Sequence, residues 1–188
     1  MIIDFDIIGV IICFAIWCVA ISFLFFIKKM NRFYILIFTL TYAYLCMVVE
    51  KTQFPIYCLP GMEQTVFQDM QLVPLISLTS EDIETSVLNV FMTIPFGFML
   101  QFIKKCTWKK TLQISACFGI SIELCQLVVA LIVGTTHRVV DINDVIFNTF
   151  GGMIGFGVFF VFKKIVFRYL NKEDAIYRYL MLSENTEK

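Results

Sequence analysis

Five stretches of near-continuous apolar sequence constrain this chain more than anything else in it. Each approaches the roughly twenty residues that an α-helix needs to cross the hydrocarbon of a bilayer. The spans read as Ile7–Ile27, Phe33–Val49, Ser86–Ile103, Thr111–Val133 and Asp141–Phe162. Inside hydrocarbon no water satisfies backbone N–H and C=O groups, so spans of this length and composition must be helical. The fold class that follows is all-α: a polytopic membrane helix bundle of about five transmembrane helices. The 59% share of hydrophobic residues fits this, being above the roughly 45–50% of soluble domains. No separate soluble domain is visible.

Charge placement gives an expected orientation. Of the fifteen Lys and Arg, thirteen lie in the 28–32 loop, the 104–110 loop and the tail from 163. Basic residues stay on the cytoplasmic side, so the N-terminus is expected outside and the C-terminus in the cytoplasm. The basic clusters are short and juxtamembrane, which excludes a nucleic-acid partner. The first span is too long for a signal-peptide core, and Asp4 and Asp6 precede it instead of lysines, so it is expected to be retained. Cys13, Cys18, Cys46, Cys117 and Cys125 are expected as buried small apolar side chains, and no cysteine pair has zinc-ligand spacing.

The organisation expected along the chain is a first helix with its basic loop (1–32), a membrane domain (33–162) and a cytoplasmic tail (163–188). The tail is expected to form a short surface helix from about Asn171. The connection 52–84 is too apolar to be a freely solvated loop, so it is expected to lie on the membrane surface or cap the bundle. Thr79 with Asp82 three residues on can form a capping box that starts the third helix early.

Polar residues inside the spans narrow the function. An ionisable group in hydrocarbon costs roughly 2.5–3.5 kcal/mol on insertion scales. Glu123 lies about ten residues from the end of its span, hence about 15 Å deep. Ser115, Gly119, Glu123 and Gln126 fall on one helical face. Asp141, Asp144, Asn148, Gly151 or Gly152, and Gly155 keep the same spacing in the next span. A turn of about seven residues carrying His137 and Arg138 makes the two helices antiparallel neighbours. Asn89, in the third span, falls at a depth similar to Asn148.

The candidate ligand-binding residues are therefore Asn89, Glu123, Gln126, Arg138, Asp141, Asp144 and Asn148. The carboxylates with amide oxygens could hold a cation and through it a phosphate; Arg138 could hold a phosphate or carboxylate directly. No resident cofactor or metal is assigned. Plainer roles stand beside these: Asp141 as a helix N-cap, the asparagines as interhelical hydrogen bonds, and Gly151 with Gly155 as a packing motif.

Three pieces in order resemble the VanZ-like family: Asn89, Pro95 and Gly97; then Ser121, Glu123 and Gln126; then Arg138, Asp141, Asp144, Val145, Asn148, Gly151 and Gly155. The run Gln71–Leu75 is similar to the family's N-L-x-P-F loop, departing at Gln71 and Leu75. The resemblance covers roughly 33–162. It implies a multi-pass protein of the cell membrane, in a family associated with low-level resistance to teicoplanin-type glycopeptides in Gram-positive bacteria.

Two functions follow. One is a non-enzymatic envelope protein whose outward-facing polar pocket binds a membrane lipid, a lipid-linked cell-wall precursor or a glycopeptide, with a homo-oligomer as an option. The other is a membrane enzyme acting on an envelope lipid or glycan precursor, with His137 or Glu123 as its acid/base group. A transporter or proton-coupled permease is a third reading, against which five crossings without a visible inverted repeat argue; the residues leave open which applies.

Overall fold

A computed structural model describes residues 2–58, 70–71, 73–74, 80–134, 140–171, 174, 176–178 and 180. The elements in chain order are β1 (Ile2–Ile3), α1 (Ile7–Ser22) with a π-helical turn over Phe23–Ile27, α2 (Arg32–Gln53), β2 (Ile56–Tyr57), α3 (Ser80–Ile103), α4 (Trp108–Val133) and α5 (Ile142–Tyr169). Five helices are long and apolar enough to cross a membrane, as the sequence predicts. The protein is a multi-pass membrane helix bundle.

Small polar residues start the helices by accepting hydrogen bonds from the first-turn N–H groups, which have no intrahelical partner. Asp6 takes the N–H of Ile8 and Gly9, and Asn31 that of Phe33. Thr107 takes the N–H of Lys110 and Asp141 that of Asn143. Gly134 ends α4 in the left-handed region (φ 75°), with its N–H on the Ala130 carbonyl. Helix α3 begins at Ser80, six residues before the apolar span; the Thr79–Asp82 capping side chains lie outside the described residues. Helix α5 runs on through Lys163, Lys164 and Arg168 to Tyr169. Long basic side chains can reach water from a helix that continues past the apolar boundary.

The centre of the bundle is the α3–α5 pair. These helices run parallel, as α4 returns the chain between them, and glycines bring their backbones together. A Cβ on Gly97 would strike the Gly152 carbonyl, one on Gly151 the Val90 carbonyl, and one on Gly155 the Ile94 carbonyl. The matched pairs place residue 93 level with 151 and 98 near 155. Farther along, Phe98, Phe102, Phe159 and Phe162 form a ring cluster with edge contacts such as Phe102–Phe159 at 5.1 Å. Leu180 from the tail seals it, buried against Phe102, Phe159 and Val166. The tail's helical residues 176–178 therefore belong to a segment anchored in the core rather than one lying on the surface.

Helix α4 packs antiparallel on α5: Ser115 touches Gly152, and Gly119 meets Asn148 and Val145. Helix α2 joins through the Tyr44 hydroxyl, which donates to the Met92 carbonyl (2.7 Å). Helix α1 is peripheral and buries no residue. It is held to α2 by Trp17 Nε1 on Thr39 Oγ1 (3.2 Å) and by the Tyr42 hydroxyl on the Cys13 carbonyl (2.8 Å). The rest of its apolar surface, from Ile7 to Ile27, fits lipid.

All seven cysteines are free thiols. None of the five cysteines expected to be buried is so: Cys13, Cys18 and Cys46 are partly exposed, and Cys117 and Cys125 are exposed on the outer face of α4. On a lipid-facing surface a small apolar side chain needs no protein cover. Cys106, expected in a loop, is the buried one. Its N–H donates to Gln101 Oε1 (3.1 Å), and Gln101 Nε2 donates to Thr111 Oγ1 (3.0 Å), which closes the α3–α4 turn.

Candidate functional site

The buried interior of this bundle is mostly polar near one end. That end holds the C-terminus of α2, the start of α3, the end of α4 and the start of α5. Thr52, Ser86, Thr93, Ser115, Glu123, Gln126, Asn143 and Asn148 are all buried there or just below. Among lipid-soluble helices polar side chains face inward, because hydrocarbon offers them no partner.

Glu123, only 4% exposed, approaches the start of α5. Its Oε2 accepts the Asp141 N–H at 3.0 Å. Asp141 in turn is the N-cap of α5: Oδ1 accepts from Asn143 N (2.7 Å) and Oδ2 from Asn143 Nδ2 (3.3 Å). Gln71 reaches the same segment from the other direction. Its N–H donates to the Val140 carbonyl and its carbonyl accepts from Ile142 N, both at 3.0 Å. Residues 140–142 are therefore held as a short parallel bridge to Gln71 while Glu123 takes the intervening N–H. Gln71 of the long connection thus sits over the start of α5; residues 59–69, 72 and 75–79 of that connection lie outside the described residues.

Gln126 is buried one turn beyond Glu123 on α4. Its Nε2 donates to the Thr52 carbonyl at 3.0 Å, which ties α4 to the end of α2. Asp144 is in the first turn of α5, half-buried, with its N–H on the Asp141 carbonyl (3.2 Å). Its position also favours a carboxylate, since the helix N-terminus carries partial positive charge. Asn148 is 1% exposed, against Gly119. Its Oδ1 has no hydrogen-bond partner among the described residues, and the same holds for Ser115 Oγ and Asn89 Nδ2. The α3–α5 register puts Asn89 level with Asn148, and Thr93 below it donates to the Asn89 carbonyl (2.9 Å).

Of the residues singled out from sequence, Glu123 and Asp141 are in direct contact. Asn148 lies at the α4–α5 contact, and Asn89, on α3, is at a matching depth. Gln126 faces α2. Arg138 and His137 lie outside the described residues. Gly151 and Gly155 serve close helix packing, which is the plainer of their two readings. Among the described residues no three His, Cys, Asp or Glu side chains come together as a metal site.

Sequence reasoning missed Asn143, Thr52 and Ser86. Asn143 is almost wholly buried, yet in sequence it is one polar residue among several at a helix start. Its spacing to Asp141, two residues back, is the signal that could have found it. Ser121, part of the family-like motif, is exposed on α4 and donates to the Cys117 carbonyl, away from the cluster.

No curated protein and no solved structure gives a significant match to the chain. A family model does match, that of VanZ/LLP1, over residues 11–163. The match spans α1 to α5 and contains every residue of the polar end described above. This chain belongs to the VanZ/LLP1 family.

Proposed function

We propose that the polar end of the α3–α4–α5 bundle is an outward-facing pocket for the polar part of an envelope lipid, a lipid-linked cell-wall precursor or a glycopeptide. In this reading the protein is a cell-envelope binding protein, and low-level teicoplanin resistance is its cellular outcome. One observation carries it: Asn148 Oδ1 and Ser115 Oγ, on residues each 1% exposed, have no hydrogen-bond partner among the described residues. A buried polar atom without a partner costs about 1–3 kcal/mol, so a bundle selected for stability alone would place an apolar side chain there. A polar group arriving from a ligand removes that cost. Glu123, through the Asp141 N–H, holds the start of α5 and hence Asn148 in place.

The test is expression in a susceptible Gram-positive host, with inhibitory concentrations of teicoplanin and vancomycin measured beside an empty vector. The teicoplanin value rises and the vancomycin value moves less. Asn148→Leu, at equal abundance in the membrane, returns the teicoplanin value to the control. An unchanged teicoplanin value with the wild-type chain sinks the resistance outcome. A fully active Asn148→Leu chain sinks the site.

A further inference from the structure

The end of the bundle opposite the polar cluster carries a second feature. Helix α5 has 28 residues, about 42 Å at 1.5 Å per residue, against a hydrocarbon thickness of about 30 Å. With Asp141 and Asp144 at one interface, the last two turns of α5 emerge at headgroup depth on the other. Along one face of α5 these turns hold a shallow groove, wide open to its surroundings, of about 650 Å³, formed by Phe160, Lys163, Lys164, Phe167 and Arg168. Lys164 and Arg168 are one helical turn apart, on the same face. The cations are also placed by neighbouring rings: Lys163 Nζ lies 5.4 Å from the Phe167 centroid, and Arg168 Cζ 5.7 Å from the Tyr169 centroid. Phe160, half exposed, continues the groove toward the hydrocarbon.

We propose that this groove is a binding site for an anionic glycerophospholipid. Its phosphate sits between Lys164 and Arg168, and an acyl chain runs along Phe160. The charge selects the ligand: a zwitterionic lipid balances its phosphate with a headgroup cation that Lys164, Lys163 and Arg168 repel, whereas an anionic lipid carries net negative charge. The Arg168 guanidinium can meet two phosphate oxygens at once, which lysine cannot. The depth selects it too, since a soluble anion would leave the apolar part of the groove uncovered. This site shares no residue with the polar cluster, so it stands or falls separately from the function proposed above.

The test uses the full chain in detergent micelles, titrated with dioleoylphosphatidylglycerol or dioleoylphosphatidylcholine and read by native mass spectrometry. Phosphatidylglycerol is retained at least about fivefold more than phosphatidylcholine, in keeping with two basic side chains near an anionic headgroup. The Lys164→Gln/Arg168→Gln chain loses that preference. The control Lys28→Gln/Lys29→Gln chain, altered in a separate basic turn, keeps it. Arg168→Lys retains charge without the paired contact and falls between the wild type and the double variant. Circular dichroism matching the wild type confirms that each variant is folded. Equal retention of the two lipids overturns the proposal. So does a double variant that behaves as wild type, or a control variant that loses the preference equally.

Discussion

Glu123 acts first as an acceptor for backbone. The N–H of Asp141 would otherwise be enclosed between α4 and α5 at the one residue where the chain turns from bridge to helix. The Glu123 side-chain oxygen supplies that bond, at 3.0 Å. Replacing Glu123 with leucine strands that N–H and should cost about 1–3 kcal/mol. Glu123→Gln keeps a side-chain oxygen at the same reach and should cost less. Thermal unfolding in detergent is expected to rank wild type above glutamine above leucine; a leucine variant as stable as wild type would remove Glu123 from this role. Asn148 poses the reverse case. Leucine has a similar volume and no stranded oxygen, so Asn148→Leu should unfold at the wild-type temperature or above it, even as activity is lost. Loss of stability instead would mean that the amide is structural. Asp141→Ala removes the α5 N-cap and should lower stability by about 0.5–2 kcal/mol, with Asp141→Asn nearly neutral, in the same unfolding assay.

At the scale of elements, the α3–α5 seam decides whether the site exists. Four glycines sit where a methyl group would strike backbone or side-chain atoms of a neighbouring helix: Gly97, Gly151, Gly152 and Gly155. Backbone atoms cannot rotate aside as side chains do, so alanine at Gly97 or Gly155 should separate the helices. The expected outcome is loss of folded protein, seen as aggregation in gel filtration. Gly157 is a contrasting position on the same helix, with nothing within 4 Å of an added Cβ. There alanine should be neutral or stabilising, by up to about 1 kcal/mol of helix propensity. If both substitutions behave alike, the seam is not what holds the pair. The sequence sets Gly151 and Gly155 apart from Gly157 by their spacing, but not which helix they touch: that the partner is α3, at Val90 and Ile94, shows only when α3 is laid beside them. Leu180 is a similar case. Nothing in a polar tail marks it as the residue that closes the phenylalanine cluster.

For the whole molecule, the remaining question is which end faces out. The basic turns at 28–32 and 104–110 share one end of the bundle, and Gln71, Asp141 and the β1–β2 ribbon share the other. Charge bias predicts the basic end on the cytoplasmic side. In a chain whose native cysteines are replaced, Val73→Cys is expected to react with a membrane-impermeant maleimide in intact cells. Lys109→Cys is expected to react only after permeabilisation. The opposite pattern would invert the topology and put the polar cluster on the inner side.

Span number, helical class and the antiparallel α4–α5 pair were fully legible in the sequence, because hydrocarbon leaves a twenty-residue apolar run no other structure and a seven-residue turn no other neighbour. Helical periodicity likewise put Ser115, Gly119, Glu123 and Gln126 on one buried face, and all four are buried there. What those residues bond to was not legible. A one-dimensional pattern fixes a face, whereas the partner depends on how far helices slide and rotate against one another. Only the tertiary structure decided that Glu123 holds the α5 N-cap, that Gln126 reaches the Thr52 carbonyl of α2, and that Asn148 Oδ1 is buried with no partner among the described residues. The two bonds join residues 74 and 18 positions apart, and no local sequence encodes how the helices that carry them meet.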